Sequence, residues 1–272
     1  MKKAFLLLTL AFTAALLVAC GGNEESDSGD NTETSGDQNL YEQIKEEGTL
    51  VVGTEGTYPP FTFHNDEGKL TGYDVEVAEE IGKRLDLEIE FNETKWDAMF
   101  AGLNSDRFDM IANQVGIRPD REEKYDFSEP YTVSSAVLVA KKGNENIQTF
   151  EDIEGQPVAQ SLTSNYADIA KGYGGEIQSV EGFNESIQLI STGRVEATVN
   201  DRLAVLDFLN TKPDAPVEIV DREDDASESA MMFRKGNEEL VEAVSGALKE
   251  MKEDGTLAEI SEKWFGEDVS TK

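Results

Sequence analysis

From Gly48 onward the apolar positions alternate between two periods. Residues 50–52 read as a buried strand, and Val77, Ala78, Ile81 and Leu85 then fall on one face of a helix for which Asp74 is the expected N-cap. Leu87, Ile89 and Phe91 alternate as the next strand, Met99, Phe100 and Leu103 suit a helix, and residues 110–112 give a third strand. A second set begins near Val137, with strands at Val158, 177–180 and 195–199 and helices around Asp168, 187–190 and 203–209. The order strand, helix, strand predicts an α/β protein of two lobes with largely parallel strands.

The two sets echo each other. Leu103, then Arg107-Phe108-Asp109-Met110-Ile111-Ala112-Asn113-Gln114, matches Ile190, then Arg194-Val195-Glu196-Ala197-Thr198-Val199-Asn200-Asp201, in residue type and spacing. Polar residues gather at the ends of predicted strands: Thr54-Glu55, Asn113-Gln114, residues 160–165, and Asn200-Asp201. In open α/β sheets ligands bind beyond the carboxyl ends of the strands, so two lobes facing each other there make a cleft. The tail then reads as a strand at 230–233, a long amphipathic helix through Leu240, Val244, Leu248 and Met251, and a last helix whose Leu257, Ile260 and Trp264 stripe suits core packing. Few elements cross between lobes at 131–135 and 226–229, and two such crossings imply a hinge.

The front of the chain differs in kind. Lys2 and Lys3 precede a run of uncharged, mostly apolar residues, 4–19, which is the pattern of a secretory signal (1–19) rather than of a membrane span. Leu17 at the −3 position disfavours ordinary cleavage, and Leu17-Val18-Ala19-Cys20 resembles the lipobox of bacterial lipoproteins, in which the cysteine carries lipid. Residues 21–39 contain no hydrophobic side chain, so 20–39 is expected to be a flexible tether. With 24 basic against 56 acidic residues the chain carries a formal charge of −32, which excludes nucleic-acid binding through a basic surface. One cysteine and one histidine, His64, leave no disulfide framework, zinc-finger spacing or Cys/His catalytic pair; neither metal nor cofactor is expected.

Several side chains near the predicted cleft could bind an ionic ligand. Arg118 or Arg121, after a strand end, could hold a carboxylate with a planar fork, and either could equally be a surface ion-pair residue. Residues 162–166 lie between a strand and a helix, where free N–H groups favour an anion and where Thr163 or Ser164 could serve as a plain N-cap. Asp201 could take an ammonium group or cap a helix. Tyr58, Phe61, Phe63 and Trp96 could wall a pocket or pack in the core. His64, in the turn-like 64–68, reads as a surface residue, and the Gly172-Tyr173-Gly174-Gly175 run as a turn.

Three long strings, PFTFHNDEGKLTGYDVEVAEEIGKRL, WDAMFAGLNSDRFDMIANQVGIRPDREEKYDFSEPY and ALKEMKEDGTLAEISEKWFGEDV, resemble the polar-amino-acid solute-binding proteins of bacterial ABC importers over residues 41–268. Within that family the likeness is greatest to the L-cystine binders, through residues 112–116 and 160–166. The resemblance implies a periplasmic-binding-protein type II fold, with a ligand cleft between lobes at 40–130 plus 230–268 and at 136–225. It also implies that Arg121 pairs with the ligand α-carboxylate, met by Ser164 and Asn165 from the other lobe, so that Arg118 is a decoy. Asp201 then takes the α-ammonium, Tyr58 and Trp96 flank the ligand side chain, and Glu55 with Asn113 or Gln114 reaches farther along it. Many family members carry Ser or Thr near positions 113 and 116, where this chain has Asn113, Gln114 and Gly116.

The expectation is therefore a lipid-anchored, extracytoplasmic, monomeric binding protein that closes on one amino acid, L-cystine, and delivers it to a membrane permease without covalent chemistry. A glutamine-like binder is the competitor. A lyase of the dehydratase type on the same scaffold would need a cleft acid, for which Glu55 is the candidate, and a sensor domain would need a fused signalling segment.

Overall fold

The computed structural model describes residues 39–271. The signal segment, Cys20 and all of the expected tether but Asn39 lie outside them. Asn39 is not tether: its Oδ1 accepts the Glu42 N–H at 2.9 Å and caps helix α1 (Leu40–Glu47), whose only buried side chain is Ile44. One buried position in eight residues is too little periodicity to announce a helix.

Strand β1 (Thr49–Thr54) follows, then a small three-stranded sheet of β2 (Thr57–Tyr58), β3 (Thr62–His64) and β4 (Leu70–Thr71). Helix α2 (Tyr73–Leu85), β5 (Glu88–Glu93), α3 (Trp96–Asn104), β6 (Met110–Gly116), α4 (Pro119–Glu122) and β7 (Tyr125–Phe127) complete the first pass through lobe one. Strand β8 (Thr132–Lys141) leads into lobe two, built from β9 (Pro157–Gln160), α5 (Asn165–Gly172), β10 (Glu176–Ser179), α6 (Phe183–Ser191), β11 (Ala197–Asp201) and α7 (Arg202–Thr211). Strand β12 (Val217–Arg234) returns, and α8 (Glu238–Glu253) and α9 (Thr256–Phe265) pack back on lobe one.

Nine strands form one sheet in the order β10-β9-β11-β8-β12-β6-β1-β5, with β7 beside β12. Each lobe has a parallel part, β1 with β5 and β6, and β9 with β10 and β11, bordered by antiparallel pairs, β12 with β6 and β7, and β8 with β11. The joint between lobes is antiparallel: β8 pairs β12 from Lys141↔Val217 down to Thr132↔Ser229, with register shifts between Ile219 and Asp221 and between Arg222 and Ala226. Both expected crossings are therefore neighbouring stretches of one hydrogen-bonded ribbon. The stretch 226–229 is not a bare link but the middle of an 18-residue strand, hidden in the sequence because its polar run shows no alternation.

Two further expectations change. Helix α2 is capped by Gly72 at φ 132, not by Asp74, which lies in its first turn with the carboxylate buried. A side chain at 72 would meet the Phe61 carbonyl oxygen, so only glycine lets the chain enter the helix there. Strand β6 runs past Ala112 to Gly116, and so Asn113 and Gln114 lie inside it.

Apolar side chains cover both faces of each half-sheet. In lobe one, Leu50, Val52, Val77, Ile81, Leu248 and Ile260 join one cluster, and Met99, Leu103, Phe108 and Ile111 form another on the opposite face. The Leu257 and Ile260 stripe is core, as expected. Lobe two repeats the arrangement with Val139, Phe183 and Ile190 on one side and Leu138, Phe150 and Val199 on the other. Each such side chain contributes about 1.5–3 kcal/mol on full burial, which holds the strand ends, and thus the cleft, in place.

Candidate functional site

Lobe one presents the ends of β1 and β6. Asn113 ties them together: its Oδ1 accepts the Glu55 N–H at 2.8 Å and its Nδ2 donates to Glu55 Oε2 at 2.8 Å. Burial raises the Glu55 carboxyl to about 7, against hydrogen bonds from Asn113 and the Trp96 backbone that lower it, and the Asp97 charge adds to the rise. Gln114 sits in the left-handed region at φ 50, a conformation that costs a non-glycine residue roughly 1–2 kcal/mol. Asp74 offsets that cost. Its Oδ2 accepts the Gln114 N–H at 2.9 Å and its Oδ1 accepts Gln114 Nε2 at 2.6 Å, bonds of the charge-assisted kind. Burial drives the Asp74 carboxyl up to about 7, with the hydrogen bonds from Gln114 and Tyr131 opposing.

Arg121, on α4, is buried beneath this face. Its Nη1 donates to the Gly116 carbonyl at 3.0 Å and its Nη2 to the Thr163 carbonyl of lobe two at 3.3 Å, while the guanidinium lies 5.6 Å from the Trp96 ring and 5.4 Å from the Phe100 ring. Burial, with Arg118 nearby, lowers it to about 10, so it stays charged at neutral pH. Gly116 stands between Arg121 and Asn165: a Cβ there would be 3.7 Å from Arg121 Nη1 and 3.9 Å from Asn165 Cγ.

Lobe two presents the start of α5 and the end of β11. Ser164 caps α5 through the Tyr166 N–H at 3.1 Å. Asp201 caps α7: its Oδ1 accepts the Leu203 N–H at 2.7 Å and Ser134 Oγ at 3.0 Å, and its Oδ2 accepts Tyr166 Oη at 3.1 Å. Burial raises the Asp201 carboxyl despite these donors.

Hydrogen bonds draw the lobes together over the cleft. Tyr58 Oη donates to Asn200 Oδ1 at 2.6 Å, Asp97 Oδ1 accepts the Thr163 N–H at 3.1 Å and hydroxyl at 2.7 Å, Arg118 pairs with Asp168 at 2.9 Å, and Lys95 pairs with Glu181. Between the lobes lies a cavity of about 500 Å³, within the range of small-molecule sites.

Glu55, Tyr58, Trp96, Asn113, Gln114, Ser164 and Asn165 line it together. Gly116, Arg121 and Asp201 do not line it but lie directly behind residues that do. Arg118 is an ion-pair residue bound to Asp120 and Asp168. Phe61 is core and Phe63 packs edge-on against Trp264, so of the four aromatics named from the sequence Tyr58 and Trp96 line the cavity, where Tyr166 and Phe183 join them. His64 is half exposed, yet its Nε2 lies 3.2 Å from Glu93, a cavity residue. Asn200, named from the sequence as a polar strand end, also lines the cavity, as do Lys95, Tyr166 and Glu181, which were not assigned a role. Tyr166 adjoins selected positions; Lys95 and Glu181 carry no local signal. Among the described residues no group of three or more His, Cys, Asp or Glu could hold a metal ion.

Residues 50–267 match the family described as bacterial extracellular solute-binding proteins, family 3. The chain is 53% identical over 271 residues to the L-cystine-binding protein TcyA of Bacillus subtilis strain 168, covering 99% of this chain and 100% of that one. Among solved structures it is similar to an ancestral arginine-binding protein bound to arginine (TM-score 0.76, 38% identity, 80% and 99% of the two chains covered). It is also similar to the L-cystine solute receptor of Neisseria gonorrhoeae in the unliganded open conformation (TM-score 0.58, 48% identity, 86% and 100% covered). The closer superposition goes with the ligand-bound structure although identity runs the other way, in keeping with the hydrogen bonds across the cleft.

Proposed function

Because the chain belongs to the bacterial extracellular solute-binding proteins of family 3, we propose that it captures L-cystine in the cleft and passes it to the permease of an ABC amino-acid importer. The observation that carries this reading is the interlobe cavity, walled by Tyr58 and Trp96 and lined by Glu55, with the buried Arg121 and Asp201 standing behind its lining residues. Arg121, freed from the carbonyls it now bonds, takes one carboxylate of the ligand together with Ser164 and Asn165. Asp201 receives the neighbouring ammonium group, through the face that Tyr166 now occupies. Glu55, held by Asn113 and backed by Gln114, takes the second ammonium. Tyr58 and Trp96 cover the disulfide, since sulfur and aromatic rings attract by roughly 0.3–1.5 kcal/mol per contact. Gly116 keeps the space between Arg121 and Asn165 open.

The lobes proposed to close on the ligand are 40–130 with 230–268, and 136–225. Lipid on Cys20 would hold the protein at the outer face of the membrane. Calorimetric titration with cystine, with cysteine under reducing conditions and with glutamine tests the ligand. Tight, stoichiometric binding of cystine alone is expected, and tighter binding of glutamine than of cystine would overturn the reading.

A further inference from the structure

The contacts proposed above leave the ligand's charges unbalanced. L-Cystine carries two carboxylates and two ammonium groups, and the Cα atoms of a disulfide-linked pair stand about 4.4–6.8 Å apart, so both ends fall within one cavity of this size. Facing them are two anions, Asp201 and Glu55, but a single cation, Arg121. The second carboxylate would enter a cavity also lined by Glu93, Glu181 and Glu185, where like charges oppose it.

Among the described residues one basic side chain lines the cavity, and it is Lys95. Lys95 is the N-cap residue of α3 in extended conformation (φ −69, ψ 149), directly before the cavity's Trp96. Its Nζ meets Glu181 of lobe two, also a cavity residue. The two side chains are 67% and 69% exposed, and an ion pair so open to water is worth little and exchanges readily. We propose that Lys95 determines specificity for the far end of the ligand, leaving Glu181 to pair with the second carboxylate of a doubly zwitterionic amino acid. The exchange trades one ion pair for another and leaves the Glu181 carboxylate to water, which its 69% exposure makes cheap. A ligand with a neutral tail gains nothing from it, and one with a cationic tail meets Lys95 as a like charge.

This inference rests on the cystine reading, and its test separates the two. The affinities of L-cystine and of the mixed disulfide of cysteine with cysteamine, which keeps the far ammonium and lacks the far carboxylate, are measured by calorimetry at one ionic strength. The comparison is made for the wild type, Lys95→Met and Lys83→Met. Lys83, paired with Glu80 on α2, supplies the same change of net charge away from the cavity. The expected result is a shift of the affinity ratio toward the mixed disulfide by about fivefold in Lys95→Met, the upper end for a pair open to water, and by less than twofold in Lys83→Met. Equal ratios in the two variants would overturn the role of Lys95 while leaving the cystine reading intact. Failure of the wild type to bind cystine at all would remove both, and that arm needs no variant.

Discussion

Strands β6 and β11 enter the cleft from opposite lobes with matching sequences, Ala112-Asn113-Gln114 and Val199-Asn200-Asp201, and yet they end differently. At β11 the carboxylate belongs to the strand: Asp201 closes it and caps α7 two residues later. At β6 the carboxylate comes from Asp74, forty residues upstream, and it bends Gln114 into a left-handed conformation while the strand runs on. Lobe two thus builds its buried acid locally, whereas lobe one assembles it from a distant helix. The lobe-one face also carries Arg121, whose hydrogen bonds go only to carbonyl oxygens, while Asp201 already accepts from three protein donors, Leu203 N–H, Ser134 Oγ and Tyr166 Oη. The lobe-one groups are thus the freer to respond to a ligand.

The largest effect should follow from removing the lobe-one cation. Arg121→Ala is expected to weaken cystine binding by about 2–5 kcal/mol, the usual loss when one partner of a buried charge pair is deleted. Calorimetry on the variant decides it. A loss smaller than that of Asp201→Asn would reverse the contrast between the lobes.

Next comes Asp74, through stability rather than binding. Its carboxyl is raised from 3.8 to about 7 in the fold, so between those values the folded state holds a proton that the unfolded state has lost. Stability from this group is therefore present at acid pH and declines as pH rises from about 4 to about 7, by up to about 1.4 kcal/mol per pH unit. Glu55, raised to about 7, adds in the same direction. Urea unfolding at a series of pH values should show the wild type losing stability toward neutrality, and Asp74→Asn should have a flatter profile, its deficit narrowing as pH rises. Parallel profiles would mean that Asp74 does not titrate in this range.

The contrast between the two strand ends also explains what the sequence disclosed. The periodicity located the cores, and polar residues at strand ends located the cleft, because both signals are local. Asp74 reads as an N-cap for the same reason: an acid before Val77 and Ala78 looks like one, and nothing nearby shows that Gly72 takes that role or that Gln114 claims the carboxylate. Likewise 226–229 looks like a link, since the partner that makes it a strand lies in β8. Lys95 and Glu181 escaped notice because they meet only when the lobes do.

A smaller effect is expected at the locally built acid. Asp201→Asn keeps an N-cap of equal quality, so the melting temperature should hold, while the lost charge should weaken cystine binding about tenfold. Paired thermal melts and titrations test this. Unchanged affinity would confine Asp201 to capping and pass its ammonium to Glu55.

The smallest effect belongs to Arg118, which shares a segment with Arg121 and differs from it in one physical respect. Arg121 is buried and hydrogen-bonds only carbonyl oxygens, with Asp120 and Asp168 acting on it at a distance, so its guanidinium is available to an anion. Arg118 already spends its charge twice, on Asp120 and on Asp168 at 2.9 Å each, and both acids are half exposed or more. Such pairs contribute about 0.2–1 kcal/mol each, and the Asp168 bond spans the cleft, so its loss would slightly disfavour closure. Against this, removing Arg118 relieves the like charge that lowers Arg121, which strengthens the neighbouring cation. The two consequences oppose each other, and Arg118→Ala should change cystine affinity by less than about threefold at moderate salt, where exposed pairs are screened. A change as large as that of Arg121→Ala would mean that bonding to the cross-cleft acid, rather than burial, marks the arginine on which binding depends.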